Sequence, residues 1–114
     1  MRANGGNSAR SMPDVDRLIH EPSRYNIMAL LYVVERADFL FLKNQTGQTP
    51  GNLSSHIARL EGAGYVAVEK SFAGKKPRTT LRLSAAGRNA FEDYRSRMHE
   101  LFGTASPGAD SAGD

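Results

Sequence analysis

The chain has 114 residues, too few for two ordinary domains, so one compact domain with loose ends is expected. Hydrophobic residues make up 39% and charged residues 24%, ordinary values for a soluble globular protein. The lack of cysteine excludes a disulfide scaffold, a thiolate nucleophile and any cysteine-ligated metal site. Fifteen Lys and Arg against 12 Asp and Glu leave a net charge of +3, a mild bias compatible with a polyanionic partner. The longest apolar run, Ile27 to Val34, is far short of the roughly 18–20 residues of a spanning helix. Residues 1–12 lack the apolar stretch of a signal peptide, so no membrane association and a cytoplasmic location are expected.

Residues 1–12 and 103–114 are dominated by small and polar side chains and cannot bury enough surface to offset the entropy of ordering. They are read as disordered tails flanking one domain over residues 13–102. Within it, Pro13-Asp14 opens a short helix with Val15, Leu18 and Ile19 on one face. Pro22 ends it and fits the first turn of a second helix, which runs to about Arg36 and is apolar on most sides, the mark of a central core helix. Asp38 caps a third helix, Phe39 to Gln45, stopped by Gly47. Thr49 caps a fourth, Pro50 to Ala63, with Gly64 as its left-handed terminator.

The period then changes. Tyr65 to Phe72 and Thr79 to Leu83 have strand character, and Ala73 to Arg78 between them has turn composition, which predicts a hairpin with a basic tip. Ser84 caps a last helix carrying Phe91, Tyr94, Met98 and Leu101 at helical spacing.

The fourth helix carries the functional signal. At about 100° per residue, Leu53, Ile57 and Leu60 share an inward face. Gly51, Asn52, Ser55, Ala58 and Arg59 lie opposite. Small residues let a helix backbone approach phosphates, while amide, hydroxyl and guanidinium groups meet base edges in the major groove. Many amphipathic helices have a polar outer face and bind nothing, but here a short helix and the Thr46-Gly47-Gln48 turn precede it, the helix-turn-helix arrangement. Lys75, Lys76 and Arg78 then crowd the hairpin tip, where they can follow adjacent phosphates or enter the minor groove.

The segments DFLFLKNQTGQTPGNLSSHIARLEGAGYVAVEKSF and GKKPRTTLRLSAAGRNAFEDY resemble a small winged-helix class related to the MarR and ArsR transcriptional regulators. The likeness extends from Val15 to about Leu101. It implies an α+β, mainly helical winged helix-turn-helix fold, with a helical core, a β-hairpin wing and extra N- and C-terminal helices for dimerisation. It also implies a homodimeric, sequence-specific regulator of double-stranded DNA. By that resemblance Thr49, Gly51, Asn52, Ser55, His56 and Arg59 are recognition positions, and Lys75, Lys76, Arg78 and Thr79 are wing contacts. Leu40 departs from the pattern, standing where a polar residue is expected.

Paired half-sites about one helical turn apart are the usual route to specificity for so small a reader. The apolar stripe Phe91, Tyr94, Met98, Leu101 with Phe102, joined by Val15, Leu18 and Ile19, offers a dimer interface; alternatively the two stripes bury each other within one chain. A small-molecule effector, of a class the sequence leaves open, would have to sit between the dimer helices and the DNA-binding core. His20, His56 and His99 are scattered without metal-ligand spacing, no G-x-S-x-G or phosphate-loop motif is present, and neither a cofactor nor catalysis is expected. The rival function is a winged helix used to dock on a protein. It predicts an exposed apolar patch near the wing, whereas DNA binding predicts Arg59, Lys75, Lys76 and Arg78 together, with Glu61 and Glu69 off that face.

Overall fold

In the computed structural model, which describes residues 15–103, the N-terminal residues form a turn at 17–19. Helix α1 (Pro22–Val34), strand β1 (Arg36–Asp38), helix α2 (Phe39–Thr46) and helix α3 (Pro50–Gly62) follow. Strands β2 (Val66–Ala73) and β3 (Lys76–Leu83) then form the hairpin, and helix α4 (Ala85–Gly103) closes the chain. The expected tails lie outside the described residues, apart from Gly103 at the end of α4.

The expected first helix is corrected. Its start at Pro13-Asp14 lies outside the described residues, and the rest is a turn. The Asp16 carboxylate accepts from the amides of Leu18 and Ile19, at 2.9 and 3.3 Å. Such side-chain bonds offer the backbone an alternative to the helical ladder. Pro22 then forces an extended Glu21, φ −154° and ψ 129°, whose carboxylate caps α1 by accepting from Arg24 N at 2.8 Å. The turn is held to the body by Tyr65, whose hydroxyl donates to Asp16. That hydrogen bond, and burial after it, push the phenol up to about 12.

α1 stops at Val34, two residues before its expected end at about Arg36. Glu35 adopts φ +71°, and the chain leaves as β1. Only three residues long, β1 pairs antiparallel with β3 so that Ala37 stands opposite Leu81 and is buried. A left-handed φ costs an L-residue roughly 1–2 kcal/mol, and glycine escapes most of this at some cost in unfolded-state entropy. Glu35→Gly is therefore expected to stabilise the fold by about 1 kcal/mol. A lowered midpoint in chemical unfolding would contradict this.

The remaining punctuation lies where the side chains place it. Asp38 accepts from Phe41 N at 2.8 Å to start α2, and Gly47, φ +68°, ends it. Thr49 Oγ1 accepts from Asn52 N at 3.2 Å to start α3. The hairpin turn is tighter than expected: Ala73 and Lys76 to Arg78 are already strand, leaving Gly74 and Lys75 as the loop. Gly74 alone carries positive φ there, the pattern of a type II′ turn. Ser84 Oγ accepts from Gly87 N at 2.9 Å to start α4.

The sheet order is β1-β3-β2, all antiparallel. Val66, Leu81 and Leu83 face the helices and meet Ile27, Met28 and Leu31 of α1, Leu42 of α2, and Leu53, Ile57 and Leu60 of α3. Each such side chain, fully buried, contributes about 1.5–3 kcal/mol of transfer free energy.

Part of the expected dimer face belongs to this core. Ile19, Phe91 and Tyr94 are buried within the chain. The Tyr25 ring lies 5.6 Å from Phe91 and 5.8 Å from Tyr94, and Tyr32 lies 5.1 Å from Phe91. Val15, Leu18 and Met98 are half-buried against the same cluster. The physical reason is that α4 lays its first two stripe positions directly on α1. The outer end of α4 remains, with Leu101 half-buried and Phe102 57% exposed.

Candidate nucleic-acid interface

On α3, Leu53, Ile57 and Leu60 are buried while Gly51, Asn52, Ser54, Ser55, Ala58 and Arg59 are exposed. Four of the six expected recognition positions (Gly51, Asn52, Ser55 and Arg59) thus share the accessible side of this helix. The other two are engaged within the chain. Thr49 uses its hydroxyl as the helix cap. His56 is half-buried, with Nδ1 3.1 Å from Arg24 Nη1 and 3.9 Å from Glu21 Oε1. Arginine only donates, so Nδ1 accepts, which assigns the ring proton to Nε2. Arg24 also donates from Nε to the Leu18 carbonyl at 2.6 Å and so ties the N-terminal turn, α1 and α3 together. Sequence reasoning missed Arg24 because its partner on α3 lies 32 positions away.

The hairpin brings the second group. Lys75, Lys76 and Arg78 are all exposed at its tip. Thr79 is half-buried opposite Lys70, on the same strand face as Leu81, while Lys76 and Arg78 alternate to the other face. Glu69 is engaged away from the tip, 3.3 Å from Arg36, in an exposed pair worth little to stability. Glu61 is an exposed residue of α3. A groove of ≈ 370 Å³ between the start of α2 and the wing is lined by Leu40, Pro77, Lys76 and Arg78 among others. Leu40 in this groove is 63% exposed, and Phe72, on β2 opposite Pro77, is 73% exposed. Among the described residues no group of three His, Cys, Asp or Glu is placed to hold a metal ion.

Two helices joined by a tight turn, then a hairpin with a cationic tip, define a winged helix-turn-helix module. The profile of the winged helix DNA-binding domain family matches residues 23–102. An uncharacterized protein of Methanocaldococcus jannaschii, MJ0432, is 35% identical over 78 residues, which cover 68% of this chain and 85% of that one. A transcriptional regulator homologue from Pyrococcus horikoshii OT3 superposes with a TM-score of 0.75 at 26% identity, over 91% of this chain and 98% of the other. NadR in complex with 4-hydroxyphenylacetate has the same fold, with a TM-score of 0.64 at 23% identity, over 79% of this chain and 66% of NadR. The chain belongs to the winged helix DNA-binding domain family.

Proposed function

We propose that this chain is a homodimeric, non-catalytic transcriptional regulator that reads double-stranded DNA by sequence. In this proposal α3 lies in the major groove, and Lys75, Lys76 and Arg78 lie on adjacent phosphates or in the minor groove. The observation that carries it is the division of α3: a buried Leu53, Ile57, Leu60 face behind an exposed Gly51, Asn52, Ser55, Arg59 face, with the basic wing tip next in the chain. The likeness to a transcriptional regulator homologue supports the regulatory part. A closer kinship with the MarR and ArsR regulators and a cytoplasmic site of action belong to the same proposal. No helix among the described residues is long and apolar enough to cross a membrane. Anisotropy titration of a mixed-sequence duplex at several salt concentrations tests DNA binding. Each phosphate contact adds about 0.9 to the log–log slope, so three wing cations predict a steep dependence. A flat one would overturn the proposal.

The dimer is proposed to form through the outer end of α4, with Met98, Leu101 and Phe102 facing a second chain and Val15 and Leu18 beside them. Phe102 is an apolar side chain that the described residues leave 57% exposed. Sedimentation at micromolar concentration is expected to give twice the 12.4 kDa chain mass, and Phe102→Glu to shift it toward monomer. A monomeric wild type would contradict the dimer. A small effector would sit between these helices and the DNA-binding core; NadR, which shares the fold, is found in complex with a small molecule, 4-hydroxyphenylacetate. Exposed Leu40 and Phe72 beside the wing favour a second function, docking on a protein.

A further inference from the structure

Between the N-terminal turn, the start of α1 and the outer half of α4 lies a cleft of ≈ 430 Å³, lined by His20, Glu21, Pro22, Tyr25, Tyr94 and Met98. Its volume falls within the range of roughly 300–1,000 Å³ typical of small-molecule sites. Two tyrosine rings with centroids 5.8 Å apart, a proline ring and a thioether make most of the wall. His20 Nδ1 lies 2.8 Å from the Tyr94 hydroxyl, which holds that ring in place. Tyr25 is 36% exposed and keeps part of its ring surface available.

Among these lining residues Glu21 alone carries a carboxylate, and none is Lys or Arg. The neighbouring cation, Arg24, is directed elsewhere, to the Leu18 carbonyl and to His56. Aromatic faces attract a cation through the ring quadrupole, thioethers pack well against polarisable apolar groups, and a carboxylate adds direct Coulomb attraction. The same carboxylate repels an organic anion. We propose that this cleft binds a small organic cation, an amine or quaternary ammonium with an aromatic or compact apolar body, a site that deepens the effector part of the proposed function. Glu21 Oε1 is also 3.9 Å from His56 Nδ1, so the charge of a bound cation acts one residue away from α3.

NMR titration of the full chain without DNA tests the site, using phenyltrimethylammonium, benzyl alcohol and phenylacetate as probes. The cation is expected to shift His20, Tyr25 and Met98 in a saturable manner, benzyl alcohol to do so more weakly, and phenylacetate to leave them unmoved. Glu21→Gln keeps the size and a capping oxygen and is expected to lower cation affinity about tenfold, equivalent to about 1.4 kcal/mol. Tyr25→Leu keeps the carboxylate and is expected to lower it as well, so the outcome does not hang on one variant folding. Equal binding of phenylacetate, shifts confined to other residues, no saturable shift, or unchanged affinity in folded Glu21→Gln would overturn the site. The readout contains no DNA, so its failure is separate from failure of the DNA-binding proposal.

Discussion

Gly87→Ala is expected to destabilise the domain by about 3 kcal/mol or more. A Cβ at position 87 would lie 2.0 Å from the Tyr65 carbonyl oxygen and 2.8 Å from its carbon, far inside contact distance. Those atoms are backbone and are pinned from both sides. Tyr65 N donates to the Leu60 carbonyl at 2.9 Å, and Ser84 N donates to the Tyr65 carbonyl at 3.0 Å. Relief therefore requires moving the start of α4 off the α3–β2 junction, which also strains the Ser84 cap. Overpacking of side chains costs about 1–3 kcal/mol, and a clash with fixed backbone belongs at or above the top of that range. Against a total of about 5–15 kcal/mol for a domain, such a loss shifts the urea midpoint strongly or prevents folding. A midpoint equal to wild type would show that the α4 start does not sit against Tyr65.

The second large effect concerns DNA and separates reading from holding. Asn52→Ala and Arg59→Ala are each expected to cost about 1–3 kcal/mol on a preferred site and to relax selectivity at particular base pairs. Lys75→Ala with Lys76→Ala is expected to weaken all duplexes alike and to reduce the salt slope by up to about 2, since each phosphate contact supplies about 0.9. The distinction follows from placement. Asn52 and Arg59 share the exposed face of a helix whose other side is locked in the core by Leu53, Ile57 and Leu60. Lys75 stands in the two-residue turn and Lys76 begins β3 beside it, both exposed at the hairpin tip. Uniform weakening from both pairs of changes, on every sequence, would remove α3 from its proposed recognition role.

What could be read from the sequence is what is encoded within a few residues. Asp38 and Thr49 each lie three residues before the amide they cap, and Gly47 takes the left-handed conformation that ends α2. The inner face of α3 follows from the spacing of Leu53, Ile57 and Leu60 alone. Features that depend on distant partners were not legible. β1 is a strand because Ala37 pairs with Leu81, and three residues carry no alternation of their own. Asp16 overrides the helical spacing of Val15, Leu18 and Ile19 through its carboxylate, and its tie to Tyr65 spans 49 positions. His56 stands on the flank of α3, where partners more than thirty positions away, Arg24 and Glu21, meet its inward-turned ring. Periodicity showed the apolar stripe of α4 but could not say whether α1 or a second chain covers it. Thr79, a wing contact by the resemblance, shares the parity of Leu81 and Leu83 and lies half-buried on their strand face.

The central claim, that this winged helix reads DNA by sequence as a dimer, is tested most directly by selection from random duplexes at about physiological salt, followed by sequencing. The proposed function predicts enrichment of an inverted repeat with half-sites about one helical turn apart, lost when Asn52 and Arg59 are both alanine. Recovery of no preferred sequence would contradict the claim and favour a protein-docking role for the exposed Leu40 and Phe72 surface.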